Sequence, residues 1–354
     1  MSELSSDRLA HLDVQHPTGA GPLSVGKLRG LQRLAGAGDV FTMCAMDHRG
    51  SMQRLIAPER PDDVGYHTLV MYKEDLCEAL APVSSAVLLD PLYGAAQGVA
   101  AGLLPADVGL LVSVEATGYT DVGGSRATEL LPGWSVEKTR RMGADAAKLL
   151  VYYRPDDSAG AVHQREVVRH FTHECTRNDL PCLVEAVAYR REAAGEDRAA
   201  FAARRREIVV ETARQLSALD IDILKAEFPG DVRTERDEGR LLAACQALDA
   251  ATDVPWVLLS AGVTFDEFAV QVRLACEAGA AGFLAGRAVW QEAFALADRG
   301  DRRRWLETVG ADRMRRLGDI AGTSGRPWWR KWTTQPRALA DVREGWYAAY
   351  GSAY

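Results

Sequence analysis

The chain has 354 residues, 47% of them hydrophobic and 26% charged, the proportions of an ordinary globular protein long enough for one large domain or two small ones. Its net charge of -7 speaks against a nucleic-acid partner, since neutralising a phosphate backbone needs a basic face. No apolar run approaches the about 18 to 20 residues of a membrane span, and the polar start lacks the apolar core of a secretion signal, so the sequence predicts a cytoplasmic protein without a membrane partner.

Residues 1–27 mix Ser, Pro and Gly without periodicity and read as a loosely ordered lead-in to an amphipathic segment over 28–35. Short apolar runs then recur at 40–47, 85–90, 110–116, 146–153, 182–187, 223–228, 256–262 and 282–287. Most are nearly continuous rather than alternating, the signature of strands covered on both faces. Helical patterns at 165–178, 199–219, 238–250 and 265–279 fall between them. Eight strand-helix repeats predict an α/β fold, a single-domain (β/α)8 TIM barrel over 28–300, with an open doubly wound sheet as the competitor. A dinucleotide fold would want G-x-G-x-x-G after the first strand, where Asp47-His48-Arg49-Gly50 stands instead. Helices near 289–298 and 302–320 lead to the aromatic, basic stretch 325–332, so 301–354 reads as a helical and aromatic tail packed over one barrel end.

The six cysteines are scattered without a C-x-x-C pair and are expected to be buried, reduced thiols. Of seven histidines only His48 falls at a strand end; His170 and His173 belong to a surface helix, and with His163 they are expected to have structural or solvent roles. A catalytic zinc needs about three protein ligands, and no such set is visible, so neither metal nor cofactor is expected.

Polar groups stand in or at the end of nearly every strand: Asp47, Asp90, Glu115, Lys148, Glu185, Lys225, Ser260 and Arg287. Strand C-termini build the active site of such a barrel, so this ring predicts an enzyme, although any one member could equally be paired for structural reasons. Lys148 and Lys225 lie within apolar runs, where an ammonium is costly to bury and where a neighbouring cation favours the neutral, nucleophilic amine. The bland alternative is an ion pair with Glu185 or Glu227. After the last two strands, small residues and Arg287 would let backbone N–H groups, helix N-termini and a guanidinium face a phosphate.

Eight ordered blocks, MDHRG (46–50), LLDPLYG (88–94), EATGYTD (115–121), GADAAKLLVYY (143–153), LVEAV (183–187), ILKAEFP (223–229), LLSAGV (258–263) and FLAGRAVW (283–290), resemble class I tagatose-1,6-bisphosphate aldolases and the related sulfofructosephosphate aldolases over about residues 30–330. The resemblance implies a metal-independent aldolase acting on a small-molecule sugar phosphate, with Lys225 as the Schiff-base lysine and Glu185 and Lys148 as its proton-transfer and electrostatic neighbours. Asp47 would meet substrate hydroxyls. Ser260, Gly262, Gly286 and Arg287 would hold the phosphate of the dihydroxyacetone-phosphate half, and Arg49 and Lys73 are the candidates for the distal anion. His48 stands where the tagatose group commonly has Gln, while LAGRAVW and RMRRLGDI (313–320) look closer to the sulfofructose branch, so phosphate and sulfonate both stay open at that end. A sugar-phosphate sensor without turnover, and a phosphate-binding isomerase or decarboxylase, are the other readings. Barrels of this type commonly pair, so a homo-oligomer is expected.

Overall fold

A computed structural model describes residues 23–351; most of the 1–27 lead-in therefore lies outside the described residues. Eight parallel strands close into a barrel: β1 (Phe41–Ala45), β2 (Ala86–Leu89), β3 (Gly109–Ser113), β4 (Ala146–Tyr152), β5 (Cys182–Val187), β6 (Ile223–Ala226), β7 (Trp256–Leu259) and β8 (Gly282–Ala285), with β8 pairing back to β1. Seven lie within the apolar runs and β3 begins one residue before its run, at Gly109, while the open-sheet alternative falls with the β8–β1 closure. β2 and β3 are buried at every position, as expected of strands with side chains on one side and helices on the other.

The closing seam depends on a missing side chain. Gly282 has φ +130, and a Cβ there would stand 2.0 Å from the Phe41 carbonyl oxygen. Only glycine lets β8 approach β1 at this point.

The first helix, Val25–Leu34, begins three residues before the segment anticipated from its periodicity, because Ser24 caps it by accepting a hydrogen bond from the Lys27 backbone N–H at 3.2 Å. It packs at the N-terminal end of the barrel, where Lys27 Nζ meets Asp222 at 2.9 Å and the Asp222 carboxylate also accepts from the Cys182 N–H at 2.8 Å. At the same end, buried Trp328 of the tail stacks on Phe41, with ring centroids 6.4 Å apart. Both decorations sit at the end opposite the strand C-termini.

The mouth carries one further element, a hairpin of Thr120–Val122 and Ser125–Ala127 inside the β3–β4 connection. Its two-residue Gly123-Gly124 loop has φ +62 and +85, the left-handed pair of a tight hairpin turn. All six cysteines are buried and unpaired, and no described helix is long and apolar enough to cross a membrane.

Candidate active site

Side chains alternate across a strand, so every second residue of a barrel strand points inward. That rule selects Lys148, Leu150 and Tyr152 on β4, Glu185 and Val187 on β5, and Lys225 on β6. The parallel register then sets Glu185 directly beside Lys225 as Cα partners, with Leu150 beside Glu185. At the strand C-termini these residues help to enclose a cavity of about 330 Å³ whose wall includes His48, Tyr152, Glu185, Lys225, Ser260, Gly286 and Arg287.

The two lysines are joined through one carboxylate. Glu185 Oε1 lies 2.9 Å from Lys225 Nζ and its Oε2 lies 3.0 Å from Lys148 Nζ. Lys148 also donates to Glu115 Oε1 at 2.6 Å and to Asp47 Oδ2 at 2.8 Å, so three carboxylates converge on one ammonium. Glu115 is fixed in turn by the Leu150 N–H at 3.1 Å. Burial pulls the Lys148 pKa down, but Asp47, Glu115 and Glu185 together outweigh it and hold the amine firmly protonated, well above the ordinary lysine range. Burial pushes Asp47 up, and Lys148, His48 and Lys225 more than reverse this, holding its carboxyl well below the usual range. Glu185 is likewise depressed, burial being overcome by Lys148 and Lys225.

This geometry corrects one expectation. Lys148 is not a bare cation repelling Lys225, because Glu185 stands between the two amines and two more carboxylates share the Lys148 charge. Of the two acids named as ordinary ion-pair partners, Glu185 pairs with both lysines, whereas Glu227 pairs with neither among the described residues. Glu227 lines the cavity, but its Oε1 takes Arg205 at 2.9 Å and its Oε2 the Ala188 N–H at 2.8 Å.

Neither Lys148 nor Asp47 is part of the cavity wall; they reach it through Glu185 and His48. Asp47, expected to meet substrate hydroxyls, spends Oδ2 on Lys148 and leaves Oδ1 3.7 Å from His48 Nδ1. The His48 ring stands edge-on to Trp290, centroids 5.1 Å apart, and its buried Nδ1 has no hydrogen-bond partner among the described residues. Burial pushes its pKa down to about 3, with Asp47 opposing and Arg287 assisting, so His48 faces the cavity as a neutral imidazole.

Ser260, Gly286 and Arg287 gather at the ends of β7 and β8, with the Gly286 N–H donating to Ser260 Oγ at 3.3 Å. Gly262, with φ +72, lies against the guanidinium: a Cβ there would be 3.2 Å from Arg287 Cζ. Arg287 makes no ion pair among the described residues, and burial lowers its pKa, against the pull of Glu185. A half-buried cation without a carboxylate partner is set to receive an anion. The helix after β7 closes its own first turn with a Thr264/Glu267 capping box, and the helix after β8 is a single turn, Arg287–Trp290.

Arg49 and Lys73, the candidates for the distal anion, are not on the cavity wall. Lys73 is 1% exposed and bound by Asp90 Oδ2 and the Met46 carbonyl, both at 2.6 Å. Arg49 is also buried, donating from Nη2 to the Glu115 carbonyl at 2.9 Å, which braces the carboxylate cluster. Lys73 is used by the scaffold, and Arg49 is held through Nη2 while its buried Nη1 has no hydrogen-bond partner among the described residues. Sequence reasoning left His48, Tyr152 and Glu115 out of the site, although alternation from Lys148 reaches Tyr152 and Glu115 stands in the ring of strand-end charges. Among the described residues no group of three or more His, Cys, Asp or Glu could hold a metal ion.

A closed parallel barrel whose mouth joins two buried amines through one carboxylate, beside an arginine without an ion pair among the described residues, belongs to the class of barrel enzymes that act on anionic carbonyl compounds. The DeoC/LacD family aldolase model matches residues 41–292, and the chain belongs to that family. Tagatose 1,6-diphosphate aldolase 2 of Enterococcus faecalis is 32% identical, covering 87% of this chain and 97% of that protein. The same enzyme of Streptococcus mutans is 30% identical over 87% of this chain and 98% of its own length. Among solved structures, a fructose-bisphosphate aldolase of Plasmodium falciparum shares the fold with a TM-score of 0.60 at 15% identity, covering 87% of this chain and 99% of that one.

Proposed function

We propose that the protein is a class I aldolase that cleaves a ketose 1,6-bisphosphate, with tagatose 1,6-bisphosphate as the substrate its relatives point to. The observation that supports this reading most is the Glu185 carboxylate holding Lys225 by one oxygen at 2.9 Å and Lys148 by the other at 3.0 Å. A proton passes from Lys225 to Glu185 along that contact, and the freed amine attacks the C2 ketone. Glu185 returns the proton to the carbinolamine hydroxyl, water leaves, and the protonated imine draws electrons from the C3–C4 bond. Glu185, again ionised, takes the C4 hydroxyl proton as that bond breaks and glyceraldehyde 3-phosphate departs. It then protonates C3 of the enamine, and hydrolysis of the imine releases dihydroxyacetone phosphate and restores Lys225. Arg287, Ser260 and the loop holding Gly262 and Gly286 bind the phosphate on C1.

The test is to incubate the protein with tagatose 1,6-bisphosphate and borohydride, digest it and locate the adduct by mass. A reduced dihydroxyacetone-phosphate adduct on Lys225 is expected. An adduct on Lys148, full activity in Lys225→Met, or loss of activity on EDTA treatment would overturn the assignment. Retro-aldol rates on tagatose 1,6-bisphosphate, fructose 1,6-bisphosphate and sulfofructose 1-phosphate then rank the substrates.

A further inference from the structure

A doubly anionic ketose needs a second cation at the end remote from Arg287; of the two expected there, Lys73 is held by Asp90 and Arg49 is buried against Glu115, neither of them on the cavity wall. We infer that Arg126, on the hairpin over the barrel mouth, receives that distal anion; the inference rests on the aldolase reading given above. Arg126 lies in the second strand of the hairpin and its backbone is fixed on both sides. Its N–H donates to Tyr189 Oη at 3.3 Å, and its carbonyl accepts from Gln164 Nε2 at 2.7 Å.

The guanidinium is held by aromatic faces rather than by acids. Its central carbon is 4.4 Å from the Tyr119 ring centroid, 5.1 Å from Tyr189 and 5.7 Å from Tyr152. Among the described residues it makes no ion pair and no side-chain hydrogen bond. Glu192 feels its charge, but that carboxylate is engaged by Arg190. A guanidinium packed on rings keeps its N–H edges free, in the planar fork that fits a tetrahedral oxyanion.

Topology places the group on the correct side. Tyr152 ends β4 and lines the cavity, while Arg287 follows β8. In the ring β1-β8-β7-β6-β5-β4-β3-β2, β4 and β8 are opposite one another. Arg126 is not itself on the cavity wall but packs against Tyr152, which is, so the two arginines lie on opposite sides of the barrel with Lys225 on β6 between them. An extended substrate anchored at C1 by Arg287 and joined to Lys225 at C2 runs toward Tyr152 and Arg126.

Phosphate and sulfonate present the same oxyanion chemistry, so the experiment includes both. The kcat/KM of the wild type, Arg126→Gln and Arg126→Lys is measured on tagatose 1,6-bisphosphate, sulfofructose 1-phosphate and tagatose 1-phosphate, which lacks a distal anion. In Arg126→Gln the preference for the better doubly anionic substrate over tagatose 1-phosphate should fall roughly 10- to 100-fold, carried by KM, as when one charge-assisted contact is lost. Arg126→Lys should recover part of it. An unchanged preference, including one produced by an equal loss on all three substrates, overturns the inference while leaving the aldolase reading in place. If the wild type cleaves none of the three, the aldolase reading fails and this inference with it.

Discussion

Replacing each buried lysine by methionine separates scaffold from chemistry. Lys148 Nζ has carboxylate oxygens at 2.6, 2.8 and 3.0 Å. At an effective dielectric of about 20, each contact contributes roughly 6 kcal/mol of gross attraction. Most of this offsets desolvation, so the measurable quantity is the cost of deleting one partner, about 3–5 kcal/mol. The pH dependence follows from the direction of the shifts. Asp47 and Glu185 have depressed pKa values, so their stabilisation is present above the unfolded carboxylate range and is lost as pH falls through the lowered values. Lys148 is raised, so its contribution is complete below the unfolded lysine value and is lost only as pH rises through the folded one. All three therefore act at neutral pH. Lys148→Met should be least stable relative to wild type near about pH 7.5, with the deficit narrowing toward about pH 5 as the abandoned carboxylates gain protons. Lys225 has a single carboxylate partner among the described residues, and that partner keeps Lys148. Lys225→Met should thus cost less than about 2 kcal/mol while abolishing dihydroxyacetone phosphate release. Urea unfolding at the two pH values and a coupled product assay measure both effects. A Lys148→Met protein as stable as wild type at neutral pH, a deficit of equal size in acid, or a Lys225→Met protein less stable than Lys148→Met would refute the reasoning.

Two further substitutions test positions that the structure assigns to the scaffold. Lys73→Met removes the only cation paired with Asp90 among the described residues and should lower stability by about 3–5 kcal/mol, with the KM of the folded protein unchanged; a raised KM would return Lys73 to the anion site. Gly282→Ala sets a Cβ 2.0 Å from the Phe41 carbonyl and should open the β1–β8 seam, costing more than about 4 kcal/mol. Gly65→Ala, with open space around its Cβ position, serves as the control. Soluble yield and thermal midpoint report on both, and a Gly282→Ala protein melting close to wild type would show that the seam tolerates a side chain.

The barrel was legible because its strands are buried on two faces and so stand out as apolar runs between amphipathic helices. The charged residues inside or at the ends of those runs also marked where the site gathers. What no run displays is register. That Glu185 lies beside Lys225 follows from how β5 slides against β6, a property of the closed barrel. The same limit explains Lys73 and Arg49. A lysine on a helix reads alike whether it serves a ligand or Asp90, because its partner is brought from the end of β2 by tertiary structure. Arg126 is harder still, since it lies outside any barrel strand. Its only sequence signal was the Gly-Gly hairpin turn, which marks the element but not the three tyrosines that collect around it.

The position of Glu185 also determines what Lys148 does. A cation that acted on Lys225 by repulsion alone would need to be uncompensated, yet three carboxylates surround it at 3.0 Å or less. Its effect falls instead on Glu185. By holding one oxygen, Lys148 keeps the carboxylate ionised before substrate arrives and leaves the other oxygen turned toward Lys225. Each proton that Glu185 accepts in the proposed cycle is consequently high in energy and readily returned, first to the carbinolamine hydroxyl and later to the enamine carbon. A residue that must alternate between base and acid within one turnover is served by an environment that favours the base without forbidding the acid. In the proposed cycle the shared contact supplies it: Lys148 biases the carboxylate toward ionisation, and imine formation at Lys225 delivers the proton that works against that bias.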